Sequence, residues 1–350
     1  MAEPTDIIEA ADDSFSDEGA DVGGENSLLT SFSSSLVKGV EENGRTYASY
    51  GKEATNEHCE CQEYGAPMDE QEMDRIDMAH AKYFMLLDKK RWLAPIPAQP
   101  QKVLDLACGT GIWSIDFADA YPSAEDLAEL SFRDRRHRTA VDMEGGKFRL
   151  HLRSRSAALH PRLAPPTRPM LQVCSSSHDN SEFSRVTKNS HNRHLKPGGW
   201  LEFQCIDGSL KCDDGTLPED SQFKEYDRLL RAAASAFGTP LEDPTGYAKW
   251  FEGAGFEGVT EKVFKMPTSP WPKDPRLRLV GAFEQENLTV NLEGISLRVF
   301  EKGLGWSADE SAVFFAAVRK DIRNRRHHSY YPFYAVYGQK PSTATSNRSP

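Results

Sequence analysis

"VLDLACGTGIW", residues 103–113, decides the fold class of this chain. A hydrophobic run ends at Asp105, glycines stand at positions 109 and 111, and a helical spacing of apolar residues follows over 112–121. Glycine lets the main chain approach a ligand because no Cβ intervenes, and the amides at a helix start favour hydrogen-bond-accepting or anionic groups. Strand, glycine turn and helix in this order predict the opening unit of an open α/β sheet with a ligand at the turn.

The spacing of the glycines favours one ligand class over others. A dinucleotide site wants G-x-G-x-x-G, and Ser114 stands where the third glycine belongs, which weakens the interpretation as an NAD-dependent oxidoreductase. A phosphate-binding G-x-x-x-x-G-K-[ST] loop is absent. The pattern D-x-x-x-G-x-G from Asp105 onward instead resembles the first motif of class I S-adenosylmethionine-dependent methyltransferases. The motif alone leaves open a tight α/β turn without a ligand.

Several further segments occur in a fixed order along the chain. They are "RTYASY" (45–50), "MDRIDMAHAKYFMLL" (73–87), "LAPIP" (93–97), "HLKPGGWLEFQ" (194–204), "VGAFEQENL" (280–288), "LEGISLRVFEKGLGWS" (292–307) and "FYAVYGQKP" (333–341). Together with the glycine turn they resemble the fungal LaeA-like methyltransferases associated with secondary-metabolite gene clusters, over about residues 45–123 and 194–340. The resemblance implies a seven-stranded, Rossmann-like class I fold with an N-terminal helical lid, and S-adenosyl-L-methionine as cofactor. It also implies a methyltransferase that acts in or regulates fungal secondary-metabolite biosynthesis.

The resemblance assigns the cofactor contacts residue by residue. Asp105 would position the cofactor, and Gly109 and Gly111 would let its methionine portion lie against the backbone. Glu129, twenty residues after Gly109, matches the carboxylate that binds the ribose, although the preceding "EDLA" is a poor strand former. Transfer from a sulfonium cofactor needs alignment of the acceptor and exclusion of water, so no residue needs to form a covalent intermediate.

No catalytic residue follows from the motifs, and His80 and Tyr47 are the two candidates for a general base. Asp74, Asp77 and His80 lie three apart on the predicted lid helix and share a face. That face is either an exposed polar surface or turned toward the cofactor or substrate. Arg45 and Tyr47 either close over the cofactor or have a packing role.

Hydrophobic periodicity predicts the remaining elements. Helices are predicted over 68–87, 112–121, 223–237, 247–254, 277–300 and 307–322, and strands over 102–107, 200–206, 259–264 and 330–337. Pro197-Gly198-Gly199 predicts a turn before the strand at Trp200. Pro332 indicates an edge strand or a bulge.

The middle segment 125–193 departs from the family pattern and is predicted to be degraded or irregular. Residues 145–178 hold six Lys or Arg, four Pro and no acid, and form no convincing strand. The interval has the family's length with different content, as a shifted and later restored reading frame would produce. We therefore hypothesise a gene-model error or a frameshifted allele here. A transcript that encodes an acidic, strand-like segment would support the gene-model error, and one that matches the present sequence would eliminate it.

Charge is concentrated at the N-terminus. Residues 1–44 hold eleven acidic side chains and Lys38 alone, and the other 306 residues are nearly neutral, so nothing indicates nucleic-acid binding. The composition predicts a disordered acidic tail over 1–44, a methyltransferase-like domain over 45–340 and a frayed end over 341–350. No signal peptide or 18-residue apolar run occurs, which predicts a soluble intracellular protein in nucleus or cytoplasm. Cys59, Cys61 and His58 lack a second pair at zinc-site spacing, so no metal site is predicted.

Two functions besides the oxidoreductase remain in view. The first is the methyltransferase, whose acceptor would be a small molecule or a protein. The second is a regulatory protein of the same fold that has lost catalysis and binds protein partners, which the acidic tail and the degraded middle segment favour. Binding of S-adenosyl-L-methionine discriminates between them.

Overall fold

In the computed structural model, a seven-stranded sheet organises the part of the chain that the structure describes. The described residues are 39–48, 65–100, 102–105, 109–128, 139–144, 147–152, 168–174, 195–241 and 243–342. Most of the predicted acidic tail, the Cys59–Cys61 pair, Glu129 and residues 343–350 lie outside them. Gly39–Glu42, at the end of the predicted tail, pairs with Arg45–Ala48 as a hairpin.

The helices agree closely with the periodicity. They are α1 (Glu70–Leu86), α2 (Ile112–Ala120), α3 (Gln222–Phe237), α4 (Tyr247–Gly253), α5 (Pro275–Val290), α6 (Leu292–Val299) and α7 (Ala308–Ile322), with a 3₁₀ turn at Pro244–Gly246 and a π turn at Phe300–Leu304. The predicted helix 277–300 is divided at Asn291, which ends α5. No helix in the described ranges is long and apolar enough to cross a bilayer.

The strands form one large sheet and two separate hairpins. They are β1 (Gly39–Glu42), β2 (Arg45–Ala48), β3 (Lys102–Asp105), β4 (Glu125–Ala128), β5 (Thr139–Glu144), β6 (Lys147–Leu152), β7 (Arg168–Cys174), β8 (Leu195–Ile206), β9 (Lys211–Cys212), β10 (Glu257–Pro267) and β11 (Ser329–Gln339). The main sheet has the order β10-β11-β8-β7-β3-β4, and β9 adds to β11. β4, β3, β7 and β8 are parallel, whereas β11 runs antiparallel between β8 and β10.

Side-chain caps explain where two helices begin. Asp69 accepts a hydrogen bond from the Glu72 amide at the start of α1. Ser307 and Glu310 form a reciprocal capping box at the start of α7. Such caps satisfy backbone N–H groups that have no partner within the helix, and each stabilises it by about 1 kcal/mol.

Alternation along the strands distributes the helices over both faces of the sheet. Val103 packs with Trp113 and Phe117 of α2, whereas its neighbour Leu104 belongs to the cluster around Tyr247 and Phe251 of α4. A larger cluster joins α1, α3 and α5–α7 to β10 and β11. Because β3, β7 and β8 are parallel, their carboxyl ends lie along one edge of the sheet.

The middle segment corrects the sequence prediction. β4 is formed by the "EDLA" that propensity disfavours, and β7 crosses the part of 145–178 where no convincing strand was expected. β7 occupies the sheet between β3 and β8. β5 and β6 pair with each other as a separate hairpin. Propensity failed for β7 because backbone pairing with β3 and β8 on its two sides overrides a weak local preference, and β4 is held by its pairing with β3 at the end of the sheet.

Two proline positions also differ from expectation. Pro197-Gly198-Gly199 lies within β8 as a bulge, since Leu195 and Trp200 of β8 pair with Arg168 and Met170 of β7. Pro332 lies in β11 between two strands and not at an edge. Its carbonyl accepts a hydrogen bond from the Asp207 amide just past the end of β8, so its missing N–H falls where the ladder with β8 stops.

Candidate cofactor site

The turn after β3 has the backbone conformation that only glycine adopts without strain. Gly109 has φ +50° and Gly111 has φ +81°, both in the left-handed region. Among the described residues, no atom lies within 4 Å of the place where a Cβ of Gly111 would stand. The turn therefore offers bare backbone with open space beside it at the start of α2, where the helix dipole favours electron-rich groups.

Asp105 ends β3 just before this turn, and its side chain is 2% exposed. The Ser114 hydroxyl donates a 3.2 Å hydrogen bond to Asp105 Oδ2, which ties the strand end to the first turn of α2. Ser114, which weakened the dinucleotide interpretation, thus orients the carboxylate. Residues 106–108, between Asp105 and the turn, lie outside the described part of the chain.

Glu129 directly follows β4, whose last residue, Ala128, pairs with Asp105. Because β3 and β4 are parallel, the chain leaves both strands at the same edge of the sheet. Glu129 itself lies outside the described residues, so its role as the ribose carboxylate stays a prediction.

The lid helix α1 lies directly against the glycine turn. A Cβ on Gly109 would stand 3.3 Å from Ile76 Cγ2, and the Thr110 hydroxyl donates a 2.5 Å hydrogen bond to Asp77. His80 Nε2 lies 2.8 Å from Asp116 Oδ2 on α2. Of the polar face predicted for this helix, Asp74 is exposed, whereas Asp77 and His80 hold α1 to the turn and to α2.

Asp116 joins α2 to the lid helix α1 and to the segment that follows it. Arg91 Nε donates a 2.6 Å hydrogen bond to Oδ2, the oxygen that His80 also contacts. Burial opposes ionisation of Asp116, but the hydrogen bonds from Arg91 and His80 outweigh it and lower its pKa. The carboxylate is therefore charged at neutral pH. His80 is engaged with Asp116, and its role as a base stays a prediction.

Tyr47 has a packing position. Its side chain is 1% exposed, and the guanidinium of Arg298 lies 4.4 Å from its ring centroid. Burial raises the pKa of the Tyr47 phenol to about 12, although the positive charges of Arg45 and Arg298 oppose this. Arg45 itself forms two hydrogen bonds with Asp69, the N-cap of α1. Tyr47 and Arg45 thus join the β1–β2 hairpin to the lid, and a phenol that keeps its proton to about pH 12 is a poor general base at neutral pH.

Glu202 and Gln204 lie two residues apart in β8, so they share one face of the strand. Glu202 is fully buried and accepts hydrogen bonds from the backbone amides of Leu93 and Ala94 and from the side-chain amide of Gln204. A glutamate inside an apolar strand was the available signal, because a buried carboxylate must find donors. The two backbone donors come from a segment more than one hundred residues earlier, which no local pattern reveals.

A cavity of about 460 Å³ lies where β8 ends, two strands from the glycine turn. Its polar lining includes Asp207, Ser209, Lys211, Arg231 and Asp243. Ligands of open α/β sheets enter at the carboxyl ends of the strands, and both features lie along that edge. Among the described residues, no group of three or more Cys, His, Asp or Glu side chains could hold a metal ion.

In this chain a parallel strand ends in an aspartate and leads through a two-glycine turn into a helix at the edge of an open sheet. This arrangement places the chain in the class of Rossmann-like α/β proteins. Comparison with known proteins identifies the family within this class. The family described as "Methyltransferase domain" matches residues 78–261, a range that includes the glycine turn and the middle segment. The chain belongs to this methyltransferase family.

Individual relatives extend the likeness over most of the chain. Methyltransferase pytC of Aspergillus terreus is 30% identical over 323 residues, which cover 90% of this chain and 92% of the relative. The probable methyltransferase tdiE of Emericella nidulans is 30% identical and covers 79% and 84% of the two chains. The secondary metabolism regulator LAE1 of Cochliobolus heterostrophus is 27% identical and covers 86% and 94%. The predicted resemblance and enzyme class are confirmed: the protein is a methyltransferase, and S-adenosyl-L-methionine is its cofactor.

Proposed function

We propose that this methyltransferase acts in, or regulates, fungal secondary-metabolite biosynthesis, and that it binds S-adenosyl-L-methionine at the turn of Gly109 and Gly111. The left-handed conformation of both glycines, with open space beside Gly111, is the observation that carries the site. The relatives named as methyltransferases and as a secondary metabolism regulator support the biological setting.

The residues present fit such a cofactor. The bare backbone at Gly109 and Gly111 would lie against its methionine portion, and buried Asp105, held by Ser114, would orient its polar groups. Glu129 at the end of β4 would bind the ribose. When bound, the cofactor supplies an electrophilic methyl group.

The protein's contribution is alignment and exclusion of water. α1, held to the turn through Asp77 and to α2 through His80, would cover the methionine portion. The acceptor is a small molecule or a protein, and it would enter along the carboxyl edge of β7 and β8. Regulatory protein partners belong to the same proposal.

A catalytically impaired regulator of the same fold is the second candidate. The relative named as a secondary metabolism regulator favours it. It requires a folded protein that does not bind the cofactor, so one experiment separates the two candidates.

Two glycines provide a matched test. Gly111 and Gly215 have φ +81° and φ +71°, and neither has a described atom within 4 Å of the place where an added Cβ would stand. Gly111→Ala and Gly215→Ala should therefore each cost about 1–2 kcal/mol of stability from backbone strain alone. In calorimetric titration with S-adenosyl-L-methionine, the wild type and Gly215→Ala should bind alike, and Gly111→Ala at least about tenfold more weakly.

The outcomes separate the proposals. Equal affinity of the two variants would contradict the location of the cofactor at this turn. A folded wild type that does not bind would contradict catalysis by this chain and leave the regulator.

A further inference from the structure

Glu202 holds the connection between the lid helix and the sheet. The Leu93 amide lies 3.0 and 2.8 Å from its two carboxylate oxygens, the Ala94 amide lies 2.6 Å from Oε2, and Gln204 Nε2 lies 2.7 Å from Oε1. All of these groups are donors, so a carboxylate satisfies them and an amide side chain does not. Burial raises the pKa of Glu202, and the hydrogen bonds from Gln204, Ala94 and Leu93 oppose that rise.

The segment that Glu202 holds, residues 91–94, follows α1 and precedes β3. Its first residue is fixed as well, because the Arg91 carbonyl accepts hydrogen bonds of 3.2 Å from both Gln204 Nε2 and Trp113 Nε1. Trp92 packs against Trp113 and Phe117 of α2. The backbone of this segment is thus anchored to β8 and to α2 at once.

The side chain of Arg91 carries the anchor to the lid. Its guanidinium lies 4.5 Å from the ring centroid of Phe84 on α1, and its Nε donates to Asp116. Asp116 also contacts His80 on α1. A shift of residue 91 would therefore disturb its contacts with Phe84 on α1 and with Asp116 on α2, and through Asp116 the contact with His80.

We propose that Glu202 is a positioning residue that, through residues 91–94, Arg91 and Asp116, fixes the lid helix α1 against the glycine turn. The expected effect on cofactor affinity rests on the proposed function. The effect on the position of α1 rests on the contacts alone. Glu202 does not need to touch the cofactor, because it acts on the glycine turn through residues 91–94 and α1.

The test compares Glu202→Gln with Glu261→Gln, which makes the same change on β10 at a glutamate whose pKa burial also raises. Hydrogen exchange is measured on the cofactor-free protein. Glu202→Gln should speed exchange at the amides of Leu93 and Ala94 and along residues 77–86 of α1 by about tenfold or more, because the variant loses a hydrogen bond to a charged group. Glu261→Gln should leave both regions unchanged.

Affinity for S-adenosyl-L-methionine gives the second measurement. Glu202→Gln should weaken it about tenfold, and His80→Gln should weaken it less. If Glu202 and His80 act through one chain of contacts, the double variant that combines Glu202→Gln and His80→Gln should bind the cofactor with the same affinity as Glu202→Gln alone. Additive losses, or unchanged exchange in α1, would contradict the positioning role.

A second variant guards against misfolding of Glu202→Gln. Gln204→Met keeps the volume but removes the donors to Glu202 and to the Arg91 carbonyl, and it should give the same exchange pattern over 91–94 and 77–86. If the wild type fails to bind the cofactor, the proposed function fails, and the exchange of the cofactor-free protein still decides whether Glu202 positions α1.

Discussion

Asp227 is an acidic residue whose side chain is buried in the folded protein. It lies in α3 with 5% of its surface exposed, and Arg231 donates a 2.7 Å hydrogen bond to it. Burial raises its pKa to about 6, and the charge of Arg231 only partly opposes this. An acid whose pKa is higher in the folded than in the unfolded protein favours the folded state while it is protonated.

The resulting pH dependence has a definite sign. Well below pH 4 Asp227 is protonated in both states. As pH rises through about 4 to 6 the unfolded chain ionises first, so stability falls by about 3 kcal/mol in total, of which about 2 kcal/mol falls between pH 4 and pH 7. The free energy of unfolding, measured with denaturant at pH 4 and pH 7, should show this loss in the wild type but not in Asp227→Asn. The comparison removes the pH dependence of the other titratable groups, which both proteins share. An identical pH dependence in both proteins would contradict it.

Helix α1 has two polar faces, and each face contacts different elements. One face contacts the glycine turn and α2 through Asp77 and His80. The other meets α5, where Lys82 pairs with Glu284 and Arg75 reaches Asn287. Lys82 and Glu284 are 1% and 3% exposed, so the lid is attached to α5 by a buried ion pair.

Replacement of one partner of the Lys82–Glu284 pair should lower the free energy of unfolding more than replacement of both partners. Lys82→Met leaves the Glu284 carboxylate buried without its ammonium partner and should lower the free energy of unfolding by about 3–5 kcal/mol. Lys82→Met with Glu284→Met should recover most of this loss, because an apolar contact of similar volume replaces the pair. Denaturant unfolding of the two singles and the double checks this, and a double variant as unstable as the sum of the singles would refute it.

The turn of Gly109 and Gly111 lies where β3, α2 and α1 meet, so binding of S-adenosyl-L-methionine at this proposed site should be linked to unfolding of the domain. At a concentration about one hundred times its dissociation constant for the wild type, S-adenosyl-L-methionine should raise the free energy of unfolding by about 2.7 kcal/mol. At the same concentration a tenfold weaker Gly111→Ala should gain about 1.4 kcal/mol. Equal gains would mean that the stabilisation does not come from this turn.

Local chemistry was enough for the sequence to indicate the class and the family, and to single out the turn at which we propose the cofactor site. Asp105, Gly109 and Gly111 are recognisable because strand, turn and helix follow one another within a short stretch, and only glycine adopts the turn's backbone angles freely. Helices α1 and α7 follow from periodicity and from caps that span three positions. Interactions of short sequence separation are visible in the sequence itself.

Tertiary structure alone decided the contacts that join distant segments. Tyr47, a candidate base in the sequence, lies beneath Arg298, and Glu202 binds amides more than one hundred residues earlier. β7 becomes a strand between β3 and β8 because both neighbours supply backbone hydrogen bonds that its own composition does not announce. These outcomes depend on which buried polar groups and strand edges meet in space, and a pattern of period two or 3.6 carries no information about partners so far along the chain.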